Sequence, residues 1–168
     1  MASRNKPTPA YALALGGVLA ALAVVVMSMG TIIPVATYVC PMICAVLLQV
    51  VFKTCGARIA WAWYGAVAVL SALLAPDKEA AAVFVFLGYY PIVKPRLDRM
   101  RAPWLWKGLL FNGSTLVMYW LLIHLLGLEA LTEEFAEMGV LMTAVLLILG
   151  NVTFFLLDQL LGKRFSRK

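Results

Sequence analysis

Residues 11–29, YALALGGVLAALAVVVMSM, form an uncharged apolar run that decides the fold class. A helix needs about 20 mostly apolar residues to cross the hydrocarbon core of a membrane, and this run is long enough. A cleaved signal peptide has a shorter apolar core of roughly 7–15 residues. The run is therefore predicted to be a retained transmembrane helix.

The composition extends this prediction to the whole chain. Of its 168 residues, 64% are hydrophobic and 13% are charged, and the mean hydropathy is +0.93. Soluble domains are about 45–50% apolar and about 25% charged, so the chain is neither an ordinary soluble protein nor a disordered one. The expected fold is all-α, a single membrane-embedded bundle over residues 1–168. Its six predicted spans are 11–29, 35–52, 59–75, 80–93, 108–128 and 138–161.

The basic residues predict the orientation of this bundle. With six spans, 13 of the 14 Lys and Arg residues lie on one side, and only Lys78 lies on the other. Cytoplasmic loops carry an excess of Lys and Arg, so both termini are predicted to be cytoplasmic. The basic clusters adjoin apolar spans, where they face membrane lipid headgroups. Membrane lipid is thus an expected partner, and nucleic acid is not.

Polar residues near the predicted outer ends of the spans are candidates for substrate binding. They are Tyr38, Asp77, Lys78, Glu79, Trp120 and His124. The charged turn formed by Asp77, Lys78 and Glu79 is also consistent with helix capping, and His124 is also consistent with a position at the membrane interface. A single histidine without a second ligand nearby is a poor metal site, so no metal and no cofactor are expected. The sequence contains no catalytic motif of a known type, and no catalytic residue is assigned.

Small residues on the first span suggest a packing surface. Ala12, Gly16 and Ala20 recur at intervals of four, which places them on one face of a helix. Such a stripe lets another helix approach closely. The neighbouring helix belongs either to this bundle or to a partner subunit.

With this stripe, its small size and its six predicted spans, the chain resembles the substrate-binding membrane subunit (S-component) of energy-coupling factor (ECF) transporters. The resemblance implies that Ala12, Gly16 and Ala20 dock on a transmembrane coupling subunit, which works with ATPase subunits. It also implies vitamin or precursor uptake through a bacterial or archaeal cell membrane. Metal-binding members use an N-terminal histidine, and this chain has none before His124. The expected ligand is therefore a small organic molecule, and the protein is not expected to be an enzyme.

Two other functions remain open on the residues alone. One is a structural or assembly subunit of a larger membrane complex. The other is a membrane-embedded enzyme that uses His124 or Glu79 as an acid or base, although no span supplies a clear second titratable group.

Overall fold

The fold is described by a computed structural model that covers residues 8–29, 36–124 and 129–163, with the backbone alone at 9, 36, 129–143, 146 and 163. The predicted cytoplasmic tails and the end of the predicted fifth span, 125–128, lie outside the described residues. In the described ranges the chain is helical and contains no strand, as predicted. The helices are α1 (Pro9–Ser28), α2 (Ala36–Cys55), α3 (Ala57–Leu74), α4 (Lys78–Leu87), α5 (Tyr90–Leu97), α6 (Pro103–His124) and α7 (Glu129–Lys163).

Within the described residues, three helices have the length and apolarity that a membrane span requires. Their apolar segments are Ala10–Ser28, Thr37–Cys55 and Ala57–Leu74, with mean hydropathies of 2.4, 1.8 and 1.5. They correspond to the first three predicted spans, so the prediction of a membrane protein is supported at this coarser level. Six crossings with both termini on one side stay a prediction.

The chain forms two compact units, Met1–Pro95 and Arg96–Lys168. In the first, hereafter unit 1, α1, α2 and α3 pack on one another, and α4 packs on α2 and α3. Close van der Waals packing between the helices stabilises this unit in a membrane, and its core contains Met27, Cys44, Leu48, Val51, Val67 and Phe84.

Hydrogen bonds link the helices of unit 1 to one another. The Cys44 thiol donates to the carbonyl of Ala23 at 3.5 Å, which holds α2 against α1. The Trp63 indole N–H donates to the carbonyl of Gly16 at 3.0 Å, which holds α3 against α1. The Tyr64 hydroxyl donates to the carbonyl of Val85 in α4.

The turn between α2 and α3 is tighter than the sequence predicts. The predicted spans 35–52 and 59–75 leave a connection whose residues 54–58 are predicted to form a polar loop, but Gly56 alone separates the two helices. Its φ of 89° lies in a region that L side chains rarely adopt, and glycine reaches it without a steric penalty. The other residues of the expected loop continue the helices on either side.

The predicted fourth span, 80–93, is two helices rather than one. α4 ends at Leu87, and α5 begins at Tyr90. Gly88 has an ordinary helical φ of −61°, so its role here is steric. A Cβ at this position would lie 2.4 Å from the carbonyl oxygen of Phe84 and 2.7 Å from the Phe84 ring. The backbone at residue 88 can lie this close to Phe84 because glycine has no side chain.

The second compact unit, hereafter unit 2, is built on an antiparallel pairing of α6 and α7. The Phe111 and Phe154 rings stack with centroids 4.7 Å apart. The side-chain amides of Asn112 and Asn151 each donate to the other at 3.0 Å. The sequence predicts that such polar groups pair between helices, and these two do. The acidic segment before the sixth predicted span, for which the sequence predicts a loop with a short helix at 132–136, is part of α7, which begins at Glu129.

An ion-pair cluster lies at one end of this helix pair. Lys107 on α6 donates to both carboxylate oxygens of Asp158 on α7, at 3.1 and 2.9 Å, and also forms an ion pair with Asp98. Burial alone would lower the pKa of Lys107, but the hydrogen bonds and charges of the two aspartates outweigh burial and raise it. Asp158 on α7 is therefore paired with a basic residue of α6.

Candidate functional site

Asp77 joins the start of α4 to the start of α2. One carboxylate oxygen accepts the backbone N–H of Ala80 at 3.0 Å, the hydrogen bond of a helix N-cap. The other accepts the hydroxyl of Thr37 at 2.7 Å. An N-cap of this kind contributes about 1 kcal/mol of stability. Asp77 therefore has a structural role, which the sequence left open, and Thr37 is a partner that the sequence did not reveal.

Lys78 caps the C-terminal end of α3. Its ammonium group donates to the carbonyls of Ala72 and Ala75, both at 3.0 Å. The last carbonyls of a helix lack intrahelical partners and carry partial negative charge. The positive charge of Lys78 thus compensates the C-terminal end of α3.

Tyr38 and Glu79 complete this group of charged and polar residues. The Tyr38 hydroxyl donates to a carboxylate oxygen of Glu79 at 2.9 Å. Tyr38 is about half exposed, so the pair lies at the surface of unit 1. A phenol beside a carboxylate provides both donor and acceptor groups to a polar ligand.

Trp120 and His124 form a separate pair in unit 2. Their rings stack with centroids 5.1 Å apart and an interplanar angle of 17°. His124 Nδ1 lies 3.1 Å from the carbonyl of Trp120, one helical turn earlier. The predicted site residues thus form two groups, four of them in unit 1 and two in unit 2.

The residues of the predicted partner-docking stripe pack inside unit 1, and their docking on a partner subunit stays a prediction. Ala12 and Gly16 are buried within unit 1, and Ala20 packs against its core. The Gly16 carbonyl accepts the hydrogen bond from Trp63, and a Cβ on Gly16 would lie 4.0 Å from the indole ring. The close helix approach that the spacing indicates therefore occurs within this bundle.

Metal coordination has no support in the described part of the chain, where no three His, Cys, Asp or Glu residues are grouped suitably. No protein-family model, curated protein or solved structure matches this chain. The two groups of polar residues therefore have to be interpreted from their own chemistry.

Proposed function

We propose that this chain is a membrane-embedded binding subunit for a small polar organic molecule, of the kind that ECF uptake transporters use as S-components. The ligand would be a vitamin or a precursor. Partner ATPase subunits and a transmembrane coupling subunit would supply the energy and the pathway. The observation that carries the proposal is the Tyr38–Glu79 pair, a half-exposed phenol bonded to a carboxylate at one end of a strongly apolar bundle.

The charge pattern supports the placement of this pair on the outer side of a cell membrane. Glu79 lies in the turn at 76–79, which is predicted to lie opposite 13 of the 14 basic residues, and Tyr38 donates its hydrogen bond to Glu79. Asp77 and Lys78 hold the ends of α2, α3 and α4 together around them. A fixed framework of this kind lowers the entropy that a ligand-binding group loses when it is ordered.

The first test concerns this orientation. In a variant whose three native cysteines are replaced by alanine, Pro76→Cys and Met100→Cys introduce thiols at two exposed positions. In intact cells an impermeant maleimide should label the cysteine at 76, whereas the cysteine at 100 should react only after permeabilisation. The positive-inside rule is the reason. The reverse labelling pattern would contradict the proposed topology.

The second test concerns the ligand. Native mass spectrometry of the purified chain should reveal a co-purified small molecule, and Glu79→Gln and Tyr38→Phe should each lower its occupancy. A lost hydrogen bond to a charged group reduces affinity roughly tenfold or more. Ser28→Ala is the matched control, because Ser28 is exposed at the same end of unit 1 and bonds only the carbonyl of Val24 in its own helix.

The structural roles of Asp77 and Lys78 favour one alternative, an assembly subunit that binds no small molecule. In that case the purified chain would carry no ligand, and Glu79→Gln would leave its cellular phenotype unchanged. These two results together would contradict the binding function.

A further inference from the structure

The segment that joins α5 to α6 carries a positive surface. We name residues 96–106, RLDRMRAPWLW, the Arg-Trp segment. Its backbone turns tightly, with the N–H of Arg99 donating to the carbonyl of Arg96 at 3.2 Å. Arg96, Arg99 and Arg101 are all exposed. Three guanidinium groups therefore lie within six consecutive residues on the surface of unit 2.

The acidic residue of this segment, Asp98, forms an ion pair with Lys107, which also binds Asp158. Among the described residues, no ion pair involves the guanidinium group of Arg96, Arg99 or Arg101. The positive charge of the segment is thus available to an external anion.

Large apolar side chains lie beside this charge. Trp104 is 75% exposed, and Leu105, Trp106 and Met100 are also exposed. Tryptophan is enriched at membrane–water interfaces because its ring is apolar and its N–H is polar. Arginine forms bidentate hydrogen bonds with phosphate oxygens. A ligand that complements both features has an anionic phosphate and an adjoining apolar part.

We propose that the Arg-Trp segment binds the headgroup of an anionic phospholipid, with the arginines on the phosphate and the tryptophans at the boundary with the acyl chains. Charge complementarity and the adjoining exposed tryptophans select this occupant. The inference goes beyond the proposed uptake function and does not depend on it.

The test titrates the detergent-purified full chain with phosphatidylglycerol or phosphatidylcholine and measures retained lipid by native mass spectrometry. Wild type should bind phosphatidylglycerol more tightly. A basic residue near an anionic membrane surface contributes about fivefold to binding, so Arg99→Gln/Arg101→Gln should weaken phosphatidylglycerol binding by about 25-fold. Binding of phosphatidylcholine should not change.

The control is Lys53→Gln/Arg58→Gln, which removes the same charge from two other exposed positions. It should retain tight phosphatidylglycerol binding, as should Arg99→Lys/Arg101→Lys. Equal loss in the Lys53/Arg58 control would show an effect of net charge and overturn the site. Unchanged binding by the Arg99/Arg101 glutamine variant would overturn it as well. Loss of a co-purified protein, with lipid binding intact, would assign the segment to a protein partner instead.

Discussion

Gly16→Leu is expected to destabilise unit 1 by about 3 kcal/mol, the upper part of the range for an overpacked core, whereas Gly17→Leu should leave its stability nearly unchanged. The two glycines are adjacent on α1 but face different surroundings. Residue 16 is buried against Trp63, whereas residue 17 is exposed and has no atom within 4 Å of its Cβ position. A leucine at 16 must displace the indole ring and weaken its hydrogen bond to the Gly16 carbonyl.

Thermal unfolding in detergent, followed by tryptophan fluorescence, measures this difference. For a chain of this length, 1 kcal/mol shifts the midpoint by about 2–4 °C. Gly16→Leu should therefore unfold roughly 6–12 °C below wild type, and Gly17→Leu should unfold close to it. Equal midpoints, with loss of a partner protein only in Gly16→Leu, would instead support the external docking surface.

This pair of glycines shows why the sequence predicts the helix but not its inward face. Apolar residues surround α1 on every side, so no polar stripe marks which side meets lipid and which meets protein. Small residues occur at 12, 16 and 20 and again at 14, 17 and 21. The choice between the two stripes depends on Trp63, which is 47 residues away in the chain.

The charged turn shows a related limit at the candidate site. Asp77, Lys78 and Glu79 are predictable as a group because they are three consecutive charged residues between two apolar spans. Their individual roles depend on partners in other helices, namely Thr37 for Asp77 and the last carbonyls of α3 for Lys78. The sequence pattern is the same whether a charged side chain caps a helix or binds a ligand.

In unit 2, the sequence predicts that polar and charged side chains pair between helices, but it does not predict which residues pair. A polar or charged side chain among apolar helices needs a partner, because an unsatisfied polar group is costly in such surroundings. That argument predicts a basic partner for Asp158 and interhelical bonding for Asn112. Lys107 and Asn151 are selected by the register between α6 and α7, which the sequence does not encode in any local pattern.

Lys107→Met should destabilise unit 2 by about 3 kcal/mol, since removal of one partner of a largely buried ion pair is costly. The Lys107 and Asp158 side chains are 13% and 16% exposed, so water replaces the lost ammonium group only partly. The Asp98 and Asp158 carboxylates, which share the ammonium group of Lys107, would then lack it. Arg58→Met is the control, because it removes one positive charge from an exposed side chain.

Lys107→Met and the double variant Lys107→Met/Asp158→Leu are compared with wild type by thermal unfolding from pH 5 to 9. The interactions that raise the pKa of Lys107 stabilise the folded state at every pH below the pKa of an unfolded lysine, about 10.4. This stabilisation is lost only as the pH rises through the pKa of Lys107 in the folded state. The wild-type contribution of Lys107 should therefore be constant from pH 5 to 9.

In Lys107→Met, acidification should recover stability as carboxylates take up protons. Lys107→Met/Asp158→Leu should recover most of it at every pH, because an apolar pair replaces a buried ion pair at little cost. A double variant no more stable than Lys107→Met would show that the cluster does not act through Asp158.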